Sequence, residues 1–192
     1  MQRIVYRHLY DQRGEEIIGE KLAHRMSTWF DAESSEGIAT TLQQLLGAQG
    51  RLLPGFVMAA FIKTITNSWT TSARFGGSSP CPFGCGVPDG SNMRRVFACP
   101  SLHSAAATLL RGWRGWPTEG GIREAFALTL PAGGAKASIT IIWHDIVLQA
   151  FHARKHGSTA PLEESLKGRV KAICRHSPAC KNMLRAAYRG EC

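Results

Sequence analysis

Residues 139–157 read ITIIWHDIVLQAFHARKHG, and their spacing decides the class of fold. Ile139, Ile142, Trp143, Ile146, Val147 and Ala150 recur in steps of three and four, the repeat that lines one side of an α-helix. Arg154, Lys155 and His156 then precede Gly157. Cations favour the negative end of a helix, and glycine favours the position just beyond it. The spacing predicts a long helix that ends at this glycine.

Helical patterns recur on either side. Ile18, Leu22, Met26 and Trp29 predict a helix from about Glu15 to Phe30. Ile38, Leu42, Leu45 and Leu46 predict a shorter one that Gly47 and Gly50 end. A third is expected to begin near Pro54, with Val57, Phe61, Ile65 and Trp69 on its apolar side. Downstream, Leu162, Leu166, Val170 and Ile173 follow Glu163 and Glu164 in a first turn. Ser177-Pro178 then pairs an N-cap with a first-turn proline. Strand signals are weak, with Phe126 to Leu130 the one candidate. The expected fold is mainly α, a helical bundle.

The periodicity disappears between Thr70 and Pro100, where Gly76, Gly77, Pro80, Pro82, Gly84, Gly86, Pro88 and Gly90 favour turns over helix. The same segment holds Cys81, Cys85 and Cys99, with His103 just after it, in the pattern C-x3-C-x13-C-x3-H. Two short-spaced pairs joined by a loop suit the tetrahedral geometry of zinc, and an ion can order a segment poor in apolar surface. Helix is expected to resume at Ser101, which sets His103 one turn beyond Cys99. One Zn2+ held by Cys81, Cys85, Cys99 and His103 is the expectation. Three regions follow: a helical 1–69, a metal-binding 70–111 and a helical 112–192, read as one compact unit.

A chain of 192 residues, 44% hydrophobic, is long enough to bury a full core. No apolar run approaches the roughly 18 residues of a membrane span, and the N-terminal residues have no signal-peptide core. Six cysteines are too few for a disulfide scaffold. An intracellular protein without a membrane partner is expected.

The net charge of +9 is uneven. Residues 1–50 carry more acids than bases, whereas residues 51–118 carry seven basic groups against Asp89 alone. Arg74, Arg94, Arg95, Arg111 and Arg114 surround the cysteines and are candidate phosphate contacts. Trp113 and Trp116, which alternate with arginines in a loop, are a candidate stacking platform for bases. Trp69 and Trp143 read as core. His144 reads as a surface histidine rather than a catalytic base, and Cys174, His176, Cys180 and Cys192 read as no second metal site. There is no Asp-Asp pair, no G-x-S-x-G, no H-E-x-x-H and no Gly-Lys phosphate loop, so no enzyme is expected.

The stretch from Leu53 to Leu102 resembles a known family. Phe61-Ile62-Lys63-Thr64, Asn67-Ser68-Trp69-Thr70-Thr71-Ser72-Ala73-Arg74-Phe75, Cys81-Pro82-Phe83-Gly84-Cys85-Gly86 and Cys99-Pro100 are similar to the zinc-knuckle region that follows the polymerase part of non-LTR retrotransposon reverse transcriptases, in the form common in dinoflagellate-type retroelement proteins. The resemblance implies that Cys81, Cys85 and Cys99 are ligands. The family's histidine, four places before the last cysteine, falls on Arg95, which stays protonated and cannot bind zinc. Either the metal is lost or His103, four places after Cys99, replaces it. The family's catalytic core has no counterpart here, so reverse transcription is not expected. The resemblance implies a non-catalytic zinc- and nucleic-acid-binding module, a remnant or fragment of such an enzyme, nuclear in location, with RNA or DNA bound at low sequence specificity. The competing reading is a metal-free helical interaction protein, or a relic reading frame, with no nucleic-acid role.

Overall fold

A computed structural model of the chain describes residues 35–88, 99–109 and 130–189. It is mainly helical, as expected, and no strand occurs among the described residues. Among the described residues six helices follow in order: α1 Ser35–Leu52, α2 Gly55–Ile65, α3 Pro100–Leu109, α4 Ala135–Lys155, α5 Leu162–His176 and α6 Pro178–Arg189, with a 3-10 turn at Ala73–Phe75. The helix expected over residues 15–30 and the possible strand at 126–130 (save Leu130) lie outside the described residues.

Helix α4 is the axis of the bundle, with α1, α2, α5 and α6 packed around it. Every residue from Ala137 to Leu148 is buried. The amphipathic reading of this helix is therefore corrected: it has no solvent face over these turns. His144, expected at the surface, is fully buried and meets Phe61 of α2 edge-on at 5.1 Å between ring centroids. Asp145 is also buried, and Arg169 of α5 reaches both its oxygens. The Ser138 hydroxyl donates to Gln49 Oε1 at 2.7 Å, while Gln49 Nε2 donates to the Ala132 carbonyl at 2.6 Å. Buried polar groups need such partners, and these come from other elements.

Helix α1 runs through Gly47 and Gly50 to Leu52 rather than ending at them. Each glycine costs a helix about 1 kcal/mol relative to alanine. The buried positions Ile38, Leu42, Leu45, Gln49 and Leu53 continue the helical stripe across both glycines, and docking on the bundle outweighs that cost.

The ends of α2 and α4 are chemically explicit. Asn67 adopts a left-handed φ of 52°; its N–H bonds to the Thr64 carbonyl and that of Ser68 to the Lys63 carbonyl. Gly157, with φ 86°, repeats the arrangement: its N–H bonds to Arg154 and that of Ser158 to Ala153. Both close a helix with a left-handed residue, as Gly157 predicts from sequence. Trp69 lies beyond α2 rather than on it, yet is buried, with Nε1 donating to Thr64 Oγ1 at 3.1 Å. Among the described residues no helix is long and apolar enough to cross a membrane.

Candidate metal centre

Between the 3-10 turn and residue 88 the chain folds into a tight loop around sulfur. The Cys81 N–H bonds to the Val87 carbonyl at 2.8 Å and the Gly84 N–H to the Cys81 carbonyl at 2.9 Å. Closing the loop needs left-handed backbone at Gly84 (φ 77°) and Gly86 (φ 78°), which glycine adopts without a Cβ penalty. Cys99 follows after the x13 spacer, immediately before Pro100 opens α3.

The three sulfurs converge. Cys81, Cys85 and Cys99 Sγ all lie within 4.8 Å of one another. All three are free thiols, and Cys81 and Cys99 Sγ stand 3.8 Å apart. A tetrahedron with zinc–sulfur bonds of about 2.3 Å has edges of about 3.8 Å, so this pair already stands at ligand spacing. The three cysteines can hold a metal ion, and a set of three thiolates suits a soft or borderline one.

The backbone around the sulfurs is arranged in a common way. The amides of Phe83, Val87 and Ser101, each two residues after a cysteine, face the sulfurs of Cys81, Cys85 and Cys99 respectively. Leu102 presents a further amide to Cys99 from the first turn of α3. Amide donors stabilise thiolate over thiol. Burial pushes all three thiols the other way. It prevails at Cys81, and at Cys99, the buried member, it drives the thiol up to about 12. At Cys85 the burial effect is outweighed by the Val87 amide and the neighbouring thiols, and the thiol falls below its ordinary value.

Phe83, between the paired cysteines, fixes the loop to the bundle. It is buried, its ring 6.3 Å from that of Phe151 on α4, and Phe151 in turn lies 5.0 Å from Trp69. Truncating Phe83 to alanine removes this anchor and leaves a void, with an expected cost of about 3 kcal/mol measured by urea unfolding. A loss below about 0.5 kcal/mol would show that the loop is not held by this ring.

Of the expected ligands, His103 is not part of the convergent group, which comprises the three cysteines. His103 is half-buried one turn into α3, where its N–H bonds to the Cys99 carbonyl at 3.0 Å. Arg74 is exposed on the 3-10 turn and donates to the Asn67 carbonyl at 3.4 Å. Arg94, Arg95, Arg111, Arg114, Trp113 and Trp116 lie outside the described residues. Among Cys174, His176 and Cys180 no three-ligand group forms; Cys192 lies outside the described residues. Comparison of the chain with family models, with curated proteins and with solved structures finds no match.

Proposed function

We propose that the chain is a non-catalytic zinc-binding module that binds nucleic acid, akin to the knuckle region of non-LTR retroelement reverse transcriptases. The observation that carries the metal reading is the convergence of three cysteine sulfurs, two from the loop at 81–85 and one from the start of α3. Zinc fits this set because it favours thiolate ligands in a tetrahedral site. We assign the fourth position to His103, which follows Cys99 by one helical turn and so shares its side of α3. The nucleic-acid part rests on the basic excess around and after the cysteines and on the resemblance of Leu53–Leu102 to the retroelement knuckle.

Two measurements test the two halves. Mass spectrometry of the native protein is expected to find one zinc per chain, lost in Cys81→Ser. His103→Ala should keep zinc but bind it at least about a hundredfold more weakly, a loss beyond that of a mere supporting contact. Metal-free wild-type protein would overturn the zinc assignment. Fluorescence anisotropy with labelled oligonucleotides is expected to show salt-sensitive binding, weakened by Arg94→Ala/Arg95→Ala. Binding by that pair equal to wild type would overturn their role as phosphate contacts.

A further inference from the structure

Helices α5 and α6 form a hairpin about Ser177, whose Oγ accepts the Cys180 N–H at 3.3 Å and so opens α6 where α5 has just ended. From Lys167 to Arg189 the sequence has seven basic residues and no acidic one. Their spacing is regular. Lys167, Lys171 and Arg175 are four residues apart on α5, and Lys181, Arg185 and Arg189 are four apart on α6. Lys167, Lys171 and Arg175, and likewise Lys181 and Arg185, therefore lie along one face of their helix, about 6 Å between successive members. Lys171, Arg175 and Arg185 are exposed, and Lys181 is half-buried. The charges of Lys181 and Arg185 both act on Cys174, which lies three residues beyond Lys171 and next to Arg175. Lys181 and Arg185 thus act on the turn of α5 that carries Lys171 and Arg175.

Such an arrangement is unfavourable for the free protein. Like charges four apart on a helix destabilise it by about 0.2–0.5 kcal/mol per pair, and each of these two helices carries such a series. Lys167 has a local partner in Glu163, at 2.6 Å. Arg169 is turned away to Asp145. Beyond Lys167 neither helix carries an acid to offset the remaining cations.

We propose that this α5–α6 face binds the phosphodiester backbone of nucleic acid, through residues other than the arginines that flank the cysteines in the sequence. The proposal rests on the nucleic-acid reading above and adds where the chain is held. An anionic bilayer is the weaker partner, because a membrane-bound amphipathic helix needs an apolar face to insert. The large exposed apolar residues among those described are Leu52, Phe56, Phe75 and Val87, none of them on the hairpin. Ile173, Cys180 and Leu184, the hairpin's apolar side, are buried in the bundle.

The test compares the wild type, Lys171→Gln/Arg175→Gln/Arg185→Gln, and a control with the same charge loss elsewhere on the exposed surface, Arg51→Gln/Lys63→Gln/Lys136→Gln. Binding of labelled single-stranded RNA, single-stranded DNA and duplex DNA is measured by anisotropy between 50 and 200 mM salt, with circular dichroism to confirm folding. The hairpin variant is expected to lose tens of fold in affinity at the lowest salt. Its log–log salt slope should shrink by about 3, roughly one per phosphate contact, with the control much less affected. The RNA and DNA arms identify which backbone is preferred. Wild-type binding with equal losses in both variants, or with none in the hairpin variant, would overturn this surface while leaving the nucleic-acid reading intact. No binding by the wild type would overturn both. Hairpin-dependent binding to phosphatidylserine vesicles but to no oligonucleotide would overturn both in favour of a membrane partner.

Discussion

Arg169→Met is expected to destabilise the fold by about 3–5 kcal/mol, more than any exposed substitution, although Arg169 itself is only partly buried. Its guanidinium donates through Nε to Asp145 Oδ2 at 2.7 Å and through a terminal nitrogen to Oδ1 at 2.8 Å. This two-pronged geometry is the strong form of the arginine–carboxylate pair. The same guanidinium lies 5.2 Å from the Phe56 ring centroid, so it ties α2, α4 and α5 together. The two partners are not equivalent. The Asp145 side chain is 1% exposed, whereas that of Arg169 is 25% exposed and has access to water. Removing the arginine strands a buried carboxylate; removing the aspartate leaves a cation that can be solvated. Asp145→Leu should therefore cost less than Arg169→Met, and the double variant should recover most of the loss, since apolar side chains of similar volume replace a buried ion pair well. For a chain of this length the single-variant cost corresponds to a fall in Tm of about 6–20 °C. Additive losses in the double variant, measured by urea unfolding, would mean that the pair does not act as a unit.

That ion pair also marks the limit of what the sequence reveals. The helix over 135–155 is legible because isoleucine, tryptophan and valine repeat with helical spacing and because Gly157 stops it. The burial of its other side is not legible. Ser138 is satisfied by Gln49, 89 residues away, and Asp145 by Arg169, 24 residues away. No local pattern contains either partnership, and His144 reads as a surface residue for the same reason. Gly47 and Gly50 mislead in the opposite direction: their local preference is real, but it is smaller than the burial of the stripe that crosses them.

The candidate centre shows the same division. Cysteine spacing and glycine density single out Cys81, Cys85 and Cys99, because a short loop and a helix start leave few places for the sulfurs to go. His103 is legible only as a helical offset from Cys99, and it is not part of the convergent group. The basic hairpin had a clear signal in the absence of any acid from Lys167 to Arg189. Counting charge over the whole segment from 119 to the C-terminus dilutes it with Glu119, Glu124, Asp145, Glu163, Glu164 and Glu191.

Zinc affinity is expected to fall by between about a hundredfold and a thousandfold for each unit of pH lost below neutrality. The sign follows from the metal-free thiols. Burial raises Cys81 and drives Cys99 up to about 12, so both are protonated at neutral pH and each must release a proton to bind the ion. These two account for the lower figure. Cys85, lowered below its ordinary value by the Val87 amide and its neighbouring thiols, adds up to one further proton. Metal-dependent stability is therefore present at and above neutral pH and disappears as pH falls, since protons displace the ion from sulfur. It should disappear earliest in a Cys99→Ser variant, which loses the buried ligand that joins the loop to α3. Competition with a zinc-binding dye from pH 6 to 8 measures the affinity, and calorimetry in buffers of different ionisation heat counts the protons released. Release of fewer than two protons, with affinity flat across that range, would show that the thiols are not the ligands, however close their sulfurs lie.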